Sequence, residues 1–115
     1  MSAVTHHFAD LDAVRLHYVT AGAGDPVVLL HGWPQTWFMW RDVMPLLAAA
    51  GYRVIAPDLT GLGDSSRPEE GYDKATIARD MAEMMTALGH DRFAVVAHDW
   101  GGPVAFFLAV QFAER

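Results

Sequence analysis

The chain has 115 residues, 52% of them hydrophobic and 19% charged, with eight Lys and Arg against fourteen Asp and Glu for a formal charge of −6. An apolar half excludes intrinsic disorder, the acidic balance leaves no basic stripe for nucleic acid, and zero cysteines exclude a disulfide framework and a thiolate zinc site. The length suits one domain at most. No basic-then-apolar leader opens it, and its longest apolar stretch, residues 103–110, is too short to span a bilayer, so a cytoplasmic protein with no membrane partner is expected.

Residues 14–20 (VRLHYVT) alternate apolar and polar side chains, the period of a half-buried strand, and the weaker run 6–11 pairs with it as a hairpin across Asp12 and Ala13. Residues 27–31 (VVLLH), between Pro26 and Gly32, form a continuous apolar run suited to a strand covered on both faces. Residues 42–50 read as a helix with Pro45 in its first turn and Gly51 as its stop. A second buried strand follows at 53–57 (RVIAP), then a loop over 58–72 rich in Gly, Ser and Asp. Asp73 caps the next helix, where Ile77, Met81, Met84, Met85 and Leu88 make an apolar stripe closed by Gly89. Residues 93–98 (FAVVAH) read as a third buried strand, and from Pro103 a helix runs to the end. Alternating strands and helices of this kind predict an α/β fold with a mostly parallel sheet.

The chemistry concentrates at Ala97-His98-Asp99-Trp100-Gly101, where a strand turns sharply into a helix. Small residues flank the turn because strand and helix pass close together. This is the pattern of a nucleophile elbow, most familiar as G-x-S-x-G, whose apex side chain stands exposed at the carboxyl end of the sheet. Here the apex is Asp99. A serine needs a base before it can attack, whereas a carboxylate is ionised at neutral pH and attacks directly. Its natural target is a saturated carbon with a leaving group, and the product is an alkyl ester of the enzyme. Hydrolysis of that ester requires an activated water and an oxyanion hole. His31-Gly32-Trp33-Pro34, after the first buried strand, places the backbone N–H of Trp33 as one donor, with the N–H of Trp100 as the other.

His31-Gly32-Trp33-Pro34, Trp37, Trp40-Arg41, residues 56–65 (APDLTGLGDS) and His98-Asp99-Trp100-Gly101-Gly102, in this order, resemble the N-terminal portion of the α/β-hydrolase superfamily. The Asp apex is similar to the branch that forms alkyl esters, and the residues around it are most similar to epoxide hydrolases. That resemblance implies an α/β-hydrolase fold with helices on both faces of the sheet. It also implies an epoxide opened by Asp99 to an ester that water converts to a diol. Haloalkane and haloacetate dehalogenases share the ester mechanism. The former usually carry Asn where Trp33 stands, although the Trp100 indole N–H suits a halide; the latter usually carry Arg where Trp100 stands.

His31 and His98 are expected to support the loop backbone rather than act as bases. Gly32, Pro34 and Gly101 shape the site, and Trp37 and Trp40 pack. Asp58 and Asp64 satisfy turn N–H groups, and adjacent His6 and His7 point to opposite faces, which argues against a metal. Gly61-Leu62-Gly63 lacks the remainder of a phosphate-binding loop, so no nucleotide is implied, and no cofactor is expected. The family's base histidine, its acid partner and the tyrosines that donate to the epoxide oxygen match nothing here: after Asp99 there is no histidine, and Tyr18, Tyr52 and Tyr72 all precede the elbow. The strand at 93–98 would also become an unprotected edge without a further strand beside it. The chain is therefore expected to be part of a larger enzyme, completed by the rest of that enzyme or by a partner chain. The reading from another class is a non-catalytic fragment or interaction module.

Overall fold

The computed structural model describes residues 4–11 and 13–114. Five strands, β1 (Thr5–Asp10), β2 (Arg15–Ala21), β3 (Asp25–Leu30), β4 (Tyr52–Pro57) and β5 (Ala94–Ala97), form one sheet in the order β1-β2-β4-β3-β5. The β1–β2 and β2–β4 pairs are antiparallel and the β3–β4 and β3–β5 pairs parallel, so only β2 runs against the other four. The hairpin expected between the first two strands is present, with Thr5 opposite Thr20 and Asp10 opposite Arg15; Asp12 in its turn lies outside the described residues.

Helices cover both faces, and the two-residue period of the strands decides which side chain goes where. Leu16, Tyr18, Val28, Leu30 and Ile55 point to one face, where they pack with Ile77, Met81, Met84 and Met85 of α2 (Lys74–Ala87) and with Val104 and Leu108 of α3 (Gly101–Gln111). Val19, Val27, Leu29, Val54 and Ala56 point to the other, against Met44 of α1 (Met44–Ala49) and Trp40. Asp73 caps α2 by accepting the Thr76 N–H at 3.0 Å, and Gly51 (φ 97°) and Gly89 (φ 86°) take the left-handed conformations that stop α1 and α2.

Four expectations change. The first helix is shorter, beginning at Met44, and a 3-10 turn over Trp37–Trp40, capped by Thr36, precedes it. The last helix begins at Gly101, two residues before Pro103, and stops at Gln111 instead of continuing to the end. The strand at 93–98, read as buried, is only partly so: among the described residues β5 pairs with β3 alone and forms the edge expected of it without a further strand, and Ala94 and Val96 are exposed. Its apolar composition suits a central position, but sheet order sets its burial. Among the described residues, no helix is long and apolar enough to cross a membrane.

Candidate active site

Asp99 occupies the turn between β5 and α3 with φ 54°, the only non-glycine residue with positive φ among those described. Left-handed backbone costs every L-residue except glycine something, Asn and Asp less than most, and such strain concentrates at functional sites. Two short bonds close the turn, Gly101 N–H to His98 O and Gly102 N–H to Asp99 O, both 2.9 Å. The close passage expected of strand and helix is visible at Gly101, where a Cβ would fall 2.4 Å from the Leu30 carbonyl oxygen. The carboxylate therefore stands at the start of α3, where free N–H groups and the helix dipole favour an anion.

The backbone N–H of Trp33 donates to Asp99 Oδ2 at 3.0 Å. That bond, followed by the Trp100 N–H and more weakly by His98, holds the Asp99 carboxyl below the usual carboxylate range against a smaller opposing effect of desolvation. Gly32 makes the approach possible, since a Cβ there would lie 2.3 Å from the Asp99 Cβ. Pro34 follows in a cis peptide with Trp33. The Gly32–Gln35 turn is closed by Gln35 N–H to Gly32 O at 2.8 Å and Gly32 N–H to Gln35 Oε1 at 3.2 Å.

The two histidines differ. His31 is fully buried; its Nδ1–H donates to Gly32 O at 2.8 Å, and its Nε2 accepts the Leu59 N–H at 2.9 Å. Both nitrogens are engaged and burial pushes its pKa down, so this imidazole stays neutral and holds backbone. The side chain of His98 is exposed and has no hydrogen bond among the described residues, contrary to the expected tie to loop backbone; its main chain N–H donates to Leu30 O at 3.1 Å.

A pocket of about 160 Å³ opens beside Trp33 and Trp100, the neighbours of Asp99. The half-exposed indoles of Trp33 and Trp100 stack at 5.7 Å on one side, with Leu59, Leu62, Ile77 and Tyr72 opposite. Lys74 closes its rim, Nζ lying 4.2 Å over the Trp100 ring. Sequence reasoning placed neither Tyr72 nor Lys74 here, because their approach depends on how the loop after β4 folds back and leaves no local signal. Among the described residues, His17, Asp58 and Asp64 are the group whose ligand atoms lie near enough for a metal, within 4.8 Å of one another. His17 and Asp58 already bond each other there, at 2.7 Å.

Residues 25–115 match the alpha/beta hydrolase fold family. The chain belongs to the α/β-hydrolase fold family. Within this family it is 57% identical over 106 residues to a soluble epoxide hydrolase of Corynebacterium sp. (strain C12), covering 92% of this chain and 37% of that one. It is 43% identical to epoxide hydrolase A of Mycobacterium tuberculosis, covering 100% of this chain and 37% of that one. The solved structure of the epoxide hydrolase CorEH without ligand superposes with a TM-score of 0.92 at 55% identity, covering 95% of this chain and 38% of that one. This α/β-hydrolase chain thus spans a little over a third of the length of these relatives.

Proposed function

We propose that this chain supplies the nucleophile and oxyanion hole of an epoxide hydrolase acting on a small-molecule epoxide in the cytoplasm. The observation that carries the reading is the strained Asp99 with its carboxylate on the Trp33 N–H, in a chain so similar to named epoxide hydrolases. Asp99 Oδ1, which does not take the Trp33 bond, attacks a ring carbon. The C–O bond breaks, its electron pair stays on the ring oxygen, and that oxygen takes a proton from a donor. Oδ2, resting on the hole, becomes the ester carbonyl oxygen. Water, deprotonated by a general base, then adds to the Asp99 carbonyl carbon; the negative charge gathers on the oxygen held by the Trp33 and Trp100 N–H groups. Collapse expels the alkoxide, which takes the proton of the new carboxyl group, so the diol leaves and the carboxylate is restored; the proton on the base returns to the donor, and the net reaction is epoxide plus water to diol.

Neither the base nor the donor to the ring oxygen is assigned to a residue described here. His31 is neutral and doubly engaged. We infer that residues 1–115 are the N-terminal portion of the core of a larger enzyme, the cap and remaining core coming from the rest of that enzyme or a completing chain. The length relation to the relatives and the one-sided pairing of β5 support this. Dehalogenation by the same ester mechanism remains the second reading, favoured by the two indoles beside Asp99 as halide neighbours.

Intact-mass measurement after incubation with styrene oxide tests the reading. A stable adduct of the epoxide's mass, mapped to Asp99 by peptide sequencing, supports it. An adduct with 1-bromobutane and none with the epoxide favours dehalogenation, and no adduct with either overturns the catalytic role in favour of a non-catalytic module.

A further inference from the structure

The loop that carries Trp33 is fastened at both ends to the exit of β4. At its start the Leu59 N–H donates to His31, and at its far end the Trp37 N–H donates to Asp58 Oδ1 at 2.8 Å. Between them the Gly32–Gln35 bonds make a closed turn, so a shift at Trp37 is carried to Trp33.

Asp58 is itself held by the neighbouring strand β2, from the same face of the sheet as Trp37. Its Oδ2 accepts His17 Nδ1–H at 2.7 Å and the Asp64 N–H at 2.9 Å, and both Asp58 and His17 are only 1% exposed. A buried carboxylate is tolerable only when donors surround it, and three do. His17 is fixed in turn: its N–H donates to Ser65 Oγ at 2.9 Å, the Ser65 hydroxyl donates to Asp58 O at 2.7 Å, and its Nε2 lies 2.9 Å from Nδ1 of His6. His17 Nδ1 faces a carboxylate, which can only accept, and its Nε2 meets Nδ1 of His6. A chain of bonds therefore runs from exposed His6 through His17 to Asp58 and ends on the main chain of the oxyanion loop.

We propose that the His6–His17–Asp58 chain is the positioning device of the oxyanion hole, setting through Trp37 where the Trp33 N–H meets Asp99. This rests on the reading of Trp33 as an oxyanion donor. The device matters because a displacement of ~1 Å in a catalytic group costs about 100-fold in rate. Asp58 and His17 touch no reacting atom in this arrangement; they act through the loop. A merely structural role would lower stability while leaving the geometry of Trp33 intact whenever the protein is folded.

The test is an NMR measurement on the ¹⁵N-labelled chain, reading the Trp33 amide proton shift and its hydrogen-exchange protection relative to Leu29 in β3. Asp58→Asn leaves one acceptor oxygen where there were two, so His17 Nδ1–H or Trp37 N–H loses its partner, and His17→Leu removes the donor. His17→Asn returns an N–H near the place of Nδ1. In Asp58→Asn and His17→Leu the Trp33 amide moves upfield and its relative protection falls at least tenfold, and in His17→Asn both recover. The proposal is overturned if the first two variants fold with a lowered Tm but leave the shift and relative protection of Trp33 at the wild-type values. If neither folds, His6→Phe, which removes the bond to His17 and keeps a ring against Trp37 at the exposed end, decides by the same readout, with relative loss at Trp33 supporting the proposal and no change overturning it. No epoxide enters these measurements. An Asp99 that never forms an adduct would therefore overturn the proposed function while leaving this readout to stand or fall separately.

Discussion

The backbone N–H of Trp33 donates to Oδ2 of Asp99 at 3.0 Å, although the two residues are 66 positions apart. Asp99 thus rests with one oxygen already on the donor that the proposed reaction needs at its second step. The same bond is the first cause that holds the Asp99 carboxyl below the usual carboxylate range. Donors fixed beforehand need no reorganisation when charge develops, which is the main source of electrostatic catalysis.

Asp99→Asn removes the charge but keeps a side chain that tolerates left-handed backbone. The variant is expected to fold and to form no adduct with styrene oxide by intact mass. Alanine at the same φ of 54° is strained, so Asp99→Ala should be less stable than Asp99→Gly by about 1 kcal/mol in urea unfolding. Equal stabilities would mean that the elbow relaxes and stores no strain.

The pH dependence of alkylation follows from the sign of the Asp99 shift. Hydrogen bonds from Trp33 and then Trp100 lower its pKa in the folded state, so the carboxylate stays ionised below the ordinary range. The stabilisation this bonding provides is present above the unfolded value of about 3.9 and is lost as pH falls through the lower folded value. The initial rate of adduct formation, read by mass spectrometry, should be flat from about pH 5 to pH 8 and fall only in stronger acid. A rate that halves between pH 6 and pH 5 would contradict the observed hydrogen bonding.

Much of this architecture is legible in the sequence where local pattern and final environment coincide. The runs VVLL and VIAP are buried on both faces because helices cover both sides, and the Ile77–Met81–Met84 stripe meets the core as its spacing dictates. The elbow is legible because Ala97, Asp99 and Gly101 are neighbours in the chain. Features set by the fold are not. The 3-10 turn at Trp37–Trp40 is too short to show a period. The tie of His17 to Asp58 spans 41 residues, and in sequence His17 is simply one polar position of an alternating strand. Lys74 and Tyr72 reach the pocket by the path of the loop after β4.

Asp80 is a buried acid outside the site, 6% exposed on α2. Burial first, then Glu83 and Asp73, raise its pKa to about 6, with Arg79 opposing. The folded state therefore favours the protonated form. Between the unfolded value near 3.9 and about 6, rising pH deprotonates the unfolded chain first, so the acid progressively destabilises the fold. Asp80→Asn should stabilise the protein at pH 7 by at most about 3 kcal/mol, and the difference should vanish below about pH 4. Denaturant midpoints of both proteins at pH 4 and pH 7 check this, and a gain independent of pH would assign the effect to packing.

Gly101 and Gly102 are adjacent in the first turn of α3 and should respond to alanine with opposite signs. A Cβ on Gly102 meets nothing within 4 Å, and both glycines have ordinary helical backbone. Gly102→Ala should therefore stabilise the chain by about 0.5–1 kcal/mol through helix propensity alone. At Gly101 the same methyl would fall 2.4 Å from the Leu30 carbonyl oxygen and 2.9 Å from that of His31. Main chain cannot step aside as a flexible side chain does, so α3 must move away from β3, at a cost of about 1–3 kcal/mol. The movement would draw Asp99 from the Trp33 N–H, so Gly101→Ala should also slow adduct formation, whereas Gly102→Ala should not change the Trp33 amide resonance. Thermal unfolding and the Trp33 amide shift measured on both variants separate the two effects, and matching changes at the two positions would refute the close passage of β3 and α3 as the reason for glycine at the elbow.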